Sequence, residues 1–338
     1  MLVFNCLFIS CSCSITGDGV NEEVVIMSYN VELLFDDNDD GDEYSPYTLE
    51  EGWSTALYHE RLRTLSSIII QNNKREVDIL IVQEVENEGV VKDLIDRHLG
   101  KRGFSHYVVS DNPSSPIEVG VISRYPIIDA HVHTISHYRP IVEVILDIKG
   151  ERISLFALHL PSNRIGKEES EVQRIECLRA LGQIIQSYEG TYWDIPFIIV
   201  GDFNESSDAF DRNMGQYQTA LIESTQKRAD EFQEKGSLLV TGDIPATDSW
   251  YSFYLDKKEM SDESVPGSYY YGGLWEGFDH MLLSHKFFDN RGLEFVTSGI
   301  ISHTHMLNNK GIPYRYGQSN NKGISDHLPI FVVLELHN

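Results

Sequence analysis

The sequence predicts one α/β domain, and three observations carry that prediction. Short runs rich in Val, Ile and Phe recur along the chain, bounded by Gly, Pro or Asn. Between them lie longer stretches with apolar residues at helical spacing. Neither an internal repeat nor a Pro/Ser/Gly linker divides the chain, so the domain is expected over residues 21–338, behind a leader at 1–20. The strand runs are 23–29, 78–83, 106–110, 118–123, 140–148, 152–158, 196–200, 280–284, 292–297 and 329–336. The helical stretches are 59–72, 90–99 and 168–187, with a weaker one at 216–224. In 168–187 the residues Val172, Ile175, Leu178, Leu181 and Ile185 recur at helical spacing, which makes Cys177 a packed helix thiol.

Composition excludes several classes. The chain has 338 residues, 27 basic and 52 acidic, so its formal charge is 27 − 52 = −25. That balance argues against a broad basic groove for nucleic acid. A local phosphate site is still allowed, because a divalent metal can supply the missing positive charge. With 41% hydrophobic and 23% charged residues, the chain is neither disordered throughout nor collagenous nor a coiled coil. No apolar run reaches the roughly 18–20 residues of a membrane-spanning helix. Cys6, Cys11 and Cys13 sit near the start and only Cys177 lies in the body, which excludes a disulfide framework in the domain.

Two local stretches stand out. The first thirteen residues are apolar with small residues at their end, like the core of a secretory signal without its basic start. Ile9-Ser10-Cys11 resembles the end of a bacterial lipoprotein signal. This implies a lipid on Cys11, membrane attachment and an extracytoplasmic location, with the basic residues encoded further upstream. The alternative is an unprocessed N-terminus on a cytoplasmic protein. The second stretch is Asp36-Asp37-Asn38-Asp39-Asp40-Gly41-Asp42-Glu43. Oxygen donors at Asp36, Asn38 and Asp40 and the glycine at Gly41 follow the start of a calcium loop, but its twelfth position is Tyr47 instead of Glu. The bland alternative is a solvated acidic loop.

Six segments share one form, in which an apolar strand meets polar residues of catalytic type. They are Ser28-Tyr29-Asn30-Val31-Glu32, Val82-Gln83-Glu84-Val85, Ala157-Leu158-His159, Gly201-Asp202-Phe203-Asn204, Phe278-Asp279-His280 and Ser325-Asp326-His327-Leu328-Pro329-Ile330. Each has an ordinary explanation alone, as a turn former, a cap or a surface acid. At sheet edges they can converge, and unpaired charge buried there is costly unless a metal or mutual hydrogen bonds compensate it.

In these motifs and their order, from residue 28 to 330, the sequence resembles the metal-dependent endonuclease/exonuclease/phosphatase superfamily. The resemblance implies a deoxyribonuclease I-like four-layer α/β sandwich: two packed, mostly antiparallel sheets flanked by helices. It implies a divalent cation, Mg²⁺ before Mn²⁺ or Ca²⁺, held by Glu84 with Asn30 and Asp326. Asp202 would activate the attacking water, Asn204 would hold that water or a phosphate oxygen, and His327, oriented by Asp279, would contact the scissile phosphate. His159 would donate to a phosphate oxygen or protonate the leaving group. Position 159 is usually tyrosine in the abasic-site repair branch, which argues against a repair role.

The core motifs do not choose among nucleases, sphingomyelinases and small-molecule phosphatases. A nuclease acting on DNA or RNA is the first expectation. A phosphatase or sphingomyelinase-like phosphodiesterase is the alternative, and a dead binding protein a distant third. Arg164 and Arg174 are candidates to touch phosphate, against a loop arginine and a solvated helix face. The aromatic run Gly267-Ser268-Tyr269-Tyr270-Tyr271-Gly272-Gly273-Leu274-Trp275 is a candidate for base stacking or lipid contact. His303, His305 and Tyr314-Arg315-Tyr316 lie in a loop that could reach substrate. No dimer patch is legible, so a monomer is the default.

Overall fold

The computed structural model describes residues 22–70, 75–188, 195–261, 263–317 and 323–337. The predicted leader, with Cys6, Cys11 and Cys13, lies outside the described residues. The main elements are β1 (Glu22–Leu34), α1 (Thr55–Ile70), β2 (Ile79–Val85), α2 (Glu88–Leu94), β3 (His106–Val109), β4 (Glu118–Ser123), β5 (Ile127–His133) and β6 (Ile141–Ile148). They continue with β7 (Glu151–His159), α3 (Lys167–Ser187), β8 (Phe197–Asp202), β9 (Leu221–Glu223), β10 (Leu238–Thr241) and β11 (Trp250–Tyr251). The last are β12 (Tyr269–Tyr271), β13 (Leu274–Glu276), β14 (Asp279–Leu283), β15 (Gly292–Ile300) and β16 (Ile330–His337).

These strands form two large sheets, ordered β15-β16-β1-β2-β4-β3 and β5-β6-β7-β8-β14-β11-β10-β9, with β12 and β13 as a separate hairpin. Pairing is antiparallel except at β1–β2, at β7–β8 and along β9–β10–β11. The expected sandwich of two mostly antiparallel sheets flanked by helices is therefore the architecture.

Strand periodicity explains the layering. Alternate residues of a strand face opposite sides. On β7 and β8, Leu155, Ala157, Ile198 and Val200 enter the central core, while Phe156, Leu158, Phe197 and Ile199 face the other way. There they pack under α3 through Ile175, Leu178, Leu181 and the buried Cys177. On the far side, α1 buries Tyr58, Leu62, Leu65 and Ile69, spaced by three and four residues along one helical face. Helix α2 starts where the Asn87 side chain accepts from the Val90 amide at 3.0 Å.

The stretch 216–224 is not a helix, which corrects the sequence expectation. Its backbone N–H groups find partners elsewhere: the Glu205 carboxylate accepts from Ala220 and Leu221 at 3.0 and 2.8 Å, and β9 pairs with β10. Helical spacing of apolar residues was outweighed by an edge strand and a buried acid. The sequence reading also passed over β5 and the short strands β9 to β13.

Candidate active site

Two of the parallel strand pairs, β1–β2 and β7–β8, end at the same place. Asn30 on β1 lies beside Gln83 on β2, one residue before Glu84; His159 on β7 is in register with Asp202 on β8, and Asp202 with Asp279 on β14. The backbone bends to present these groups. Register shifts interrupt the β1–β2 ladder between Asn30 and Leu34. Glu32, Leu33, Glu84 and Asn204 all take positive φ, at 53°, 55°, 65° and 52°. Non-glycine residues rarely hold that region unless the surroundings enforce it. At Gly201 (φ 142°) a Cβ would lie 1.9 Å from the Leu158 carbonyl oxygen, so only glycine lets β8 pass β7 before Asp202.

Asn30 joins the two halves. Its Nδ2 donates to Glu84 Oε1 at 3.1 Å and to Asp202 Oδ2 at 3.0 Å, while its Oδ1 accepts from the Glu32 amide. The Leu33 amide donates to the other Glu84 oxygen at 3.1 Å. Asp202 Oδ2 also lies 3.5 Å from His159 Nε2 and 3.8 Å from His327 Nε2. The Asn204 amide donates to Asp202 Oδ1 at 2.7 Å, and its Nδ2 to the Leu160 carbonyl at 3.0 Å. His327 Nδ1 and Asp279 Oδ2 are 2.7 Å apart, both residues buried. Ser325 fixes this loop by donating to the Asn30 carbonyl and accepting from the His327 amide.

Electrostatics drives the two histidines apart. Burial alone would lower His327, but the Asp279, Asp202 and Asp326 carboxylates outweigh it and hold the imidazolium well above the usual range. Burial, with Arg139, His327 and Arg164 nearby, holds His159 well below that range. Asp202 is pushed up to about 7, chiefly by burial, with Asp279 and Glu84 adding and His327 and the Asn204 amide opposing. A neutral histidine, a charged histidine and an acid near neutrality within one cluster are the means of proton transfer at neutral pH.

The donor set fits a hard divalent cation. Glu84 is partly open, with 19% of its side chain exposed, and Asp326 with 18%. Glu32, Glu84, Asp202, Asp279 and Asp326 bring five carboxylates to the site, where Arg315 pairs with Glu32 and Asp326, and His327 with Asp279. So many carboxylates in one place suit a compensating cation. Asp202, Asp279 and His327 also lie close enough to share an ion, each with one ligand atom within 4.8 Å of the others.

Of the two arginines, the structure separates one from the site. Arg174 is a correction: it is 1% exposed, bonded to Glu171 Oε1 and Oε2, the Pro161 carbonyl and Asn163 Oδ1, and 3.4 Å from Glu205. It faces the interior because α3 turns it toward two buried acids, and its donors are already used. Arg164 sits exposed in the turn Asn163–Ile165, near enough for its charge to act on His159. His303 and His305 stack on each other at 5.6 Å and join none of the metal-capable groups among the described residues.

Glu32 and Arg139, which sequence reasoning left without a role, belong here, as does Tyr269 of the aromatic run. Glu32 accepts from the Tyr316 and Asp326 amides at 2.8 and 2.9 Å, and Arg315 bridges Glu32 and Asp326. Arg139, two residues before β6, acts on His159. Tyr269 lays its ring 4.5 Å from the His327 ring. Glu32 and Tyr269 stood inside quoted motifs; Arg139 carried no local signal.

Beside the cluster, His280 is buried and donates from Nε2 to the Glu205 carbonyl at 2.9 Å. Burial lowers it from 6.5 to about 4. The unfolded chain therefore takes the proton first as pH falls. The neutral ring's contribution is complete above pH 6.5 and is lost toward pH 4, about 3 kcal/mol in all. His280→Gln should flatten the dependence of unfolding free energy on pH between 6.5 and 4; an unchanged slope would refute the assignment.

Fold and site together define a metal-dependent phosphoester hydrolase class: strand-end carboxylates for a cation, an Asp–His pair and a buried acid. A model of the Endonuclease/Exonuclease/phosphatase family matches residues 25–336, and the chain belongs to that family. Its members are phosphoester hydrolases that use divalent metal. Similar solved structures include an endonuclease/exonuclease/phosphatase family protein from Bacteroides thetaiotaomicron, with TM-score 0.54 and 16% identity over 94% of this chain and 99% of that one. D. rerio TDP2 complexed with single-strand DNA product gives 0.51 and 16% over 92% and 98%. Beta toxin from Staphylococcus aureus gives 0.51 and 16% over 91% and 99%. At such identities the likeness concerns the fold. No curated protein sequence matches the chain.

Proposed function

We propose that the chain is a divalent-metal phosphodiesterase, and that its substrate is nucleic acid. The buried His327–Asp279 pair, with Asp202 Oδ2 3.8 Å from the open His327 nitrogen, is the observation that carries the reaction class. Asp202 takes the proton of the attacking water. The His327 imidazolium donates from Nε2 to a non-bridging phosphate oxygen, with Asp279 holding its ring. His159 faces the leaving oxygen, and Asn204 positions Asp202. Glu84, with Asn30 and Asp326, would hold the divalent cation, which would supply charge neutralisation to the reacting phosphate.

Nucleic acid is supported by the aromatic hairpin at the site's edge. Tyr269 lies beside His327, and its ring stacks with that of Tyr271, which is 70% exposed. Flat rings beside a phosphate site can stack on bases. A similar fold binds single-strand DNA product in D. rerio TDP2. A second reading, a lipid phosphodiester, is favoured by the exposed apolar hairpin tip, where Leu274 is 60% exposed.

The test offers the full chain single-stranded and duplex DNA, RNA, bis-p-nitrophenyl phosphate, p-nitrophenyl phosphate and sphingomyelin vesicles, with Mg²⁺ or with EDTA. Expected is cleavage of nucleic acid and the small diester, abolished by EDTA and reduced at least about 10²-fold in Glu84→Gln. Vesicle hydrolysis without nucleic-acid cleavage would replace the nuclease reading with the lipid one. Cleavage of the monoester alone would overturn both.

A further inference from the structure

A second carboxylate cluster lies outside the site, at the ends of the same two strands. It begins in the acidic stretch after β1, which follows a calcium loop up to Gly41 and then departs from it. The departing residue, Tyr47, is buried with its ring stacked 5.0 Å from that of Phe35, so position twelve offers no carboxylate. The fold supplies one from elsewhere. Glu86, just past β2, reaches the loop, and one ligand atom from each of Asp40, Glu43 and Glu86 lies within 4.8 Å of the others. That is the span across an ion with bonds of about 2.4 Å.

Glu86 itself points to a ligand. It is 7% exposed; its Oε2 accepts from the Asp36 amide at 2.6 Å, but its Oε1 is buried with no hydrogen-bond partner. A carboxylate oxygen left so is costly. The charged groups that face it are Asp36, Glu43 and Asp40, all acids. The base of the loop is anchored: Asp36 accepts from Asn87 Nδ2 at 3.1 Å and its carbonyl from the Trp53 indole. Its tip, with Asp40 exposed and Glu43 partly so, stands over Glu86.

We propose that Asp40, Glu43 and Glu86 form a second divalent-cation site, an oxygen-only site for Ca²⁺ that clamps the 36–43 loop to the end of β2. Ca²⁺ accepts irregular sets of six to eight oxygens, with water completing the shell, whereas Mg²⁺ demands a tight octahedron and retains its waters. The clamp would brace the strand ends that carry Asn30 and Glu84.

The test uses the full chain, freed of metal by chelator and dialysis, in a Glu84→Gln background that removes the principal donor of the first site. Ca²⁺ binding is read by calorimetry, and Tb³⁺ luminescence is excited through tryptophan, with Trp53 at the loop. Expected are one Ca²⁺ per chain and a Tb³⁺ signal displaced by Ca²⁺. At about 100-fold excess over Kd, the melting temperature should rise by about 5 °C. All three effects should vanish in Glu84→Gln/Glu43→Gln and in Glu84→Gln/Glu86→Gln. The Glu43 variant changes only a partly exposed loop residue, so it keeps the test valid if the Glu86 variant fails to fold. No Ca²⁺ binding in the background variant, or binding and melting shift indifferent to both added substitutions, would overturn the site. Binding of Mg²⁺ in place of Ca²⁺ would overturn the ion.

Discussion

His327→Ala should lower kcat on bis-p-nitrophenyl phosphate by about 10³-fold, and Asp279→Asn by a similar factor. The double variant should fall no further. The two residues form one unit: the Asp279 carboxylate, 2.7 Å from Nδ1, stabilises the charge that His327 presents from Nε2. Groups that act as a unit are not additive, because removing either removes the function of both. The measurement is kcat and KM for the three variants at saturating Mg²⁺. Losses that multiply to about 10⁶ would show two independent contributions and refute the pairing. Unfolding curves accompany the kinetics, since His327→Ala leaves a buried Asp279 without its partner. Asp279→Asn lacks that penalty and separates instability from catalysis.

The second large effect falls on stability. Arg174→Met should cost about 3–5 kcal/mol of unfolding free energy, because the substitution leaves buried acids without their cation. Glu205 is 2% exposed, and burial and Glu171 already push its carboxyl well above the usual range. Arg174 also spans two loops that serve the site. It bonds the Pro161 carbonyl two residues after His159 and lies 3.4 Å from Glu205, three residues after Asp202. Denaturant unfolding checks the prediction. Neutralising the acids as well, in Glu171→Gln/Arg174→Met/Glu205→Gln, should recover part of the loss, because no buried charge is then left unpaired and Gln still offers an acceptor to the Ala220 and Leu221 amides. A loss below about 1 kcal/mol for Arg174→Met alone would mean that water reaches these acids.

Much of this was legible in the sequence because it is local. Strand ends carry their own signal: β-rich residues, a glycine where strands pass closely, then a polar group. Asp202 after Gly201 and Glu84 after Val82-Gln83 show it. The expected run 118–123 coincides with β4, where apolar residues alternate beside turn formers. The run 216–224 failed because a nine-residue window cannot register that Glu205, more than ten residues earlier, binds its amides. Arg174 failed for a related reason. Helical spacing says which face a residue is on, but the loop carrying Glu205 turned that face inward.

The sequence by itself determined the α/β class, the residue types of the site and their order along the chain, and its resemblance to a known superfamily implied the two-sheet architecture. These follow from side-chain periodicity and from motif identity, which need no knowledge of distant contacts. Tertiary structure alone decided which groups meet. It put Asp279 against His327, 48 residues away, and stretched Asn30 between Glu84 and Asp202, 54 and 172 residues away. It also buried Arg174 and brought Glu86 to the loop that lacks its own twelfth ligand. Burial and proximity set the charge of each group, and both arise only when β1–β2 and β7–β8 end at one point.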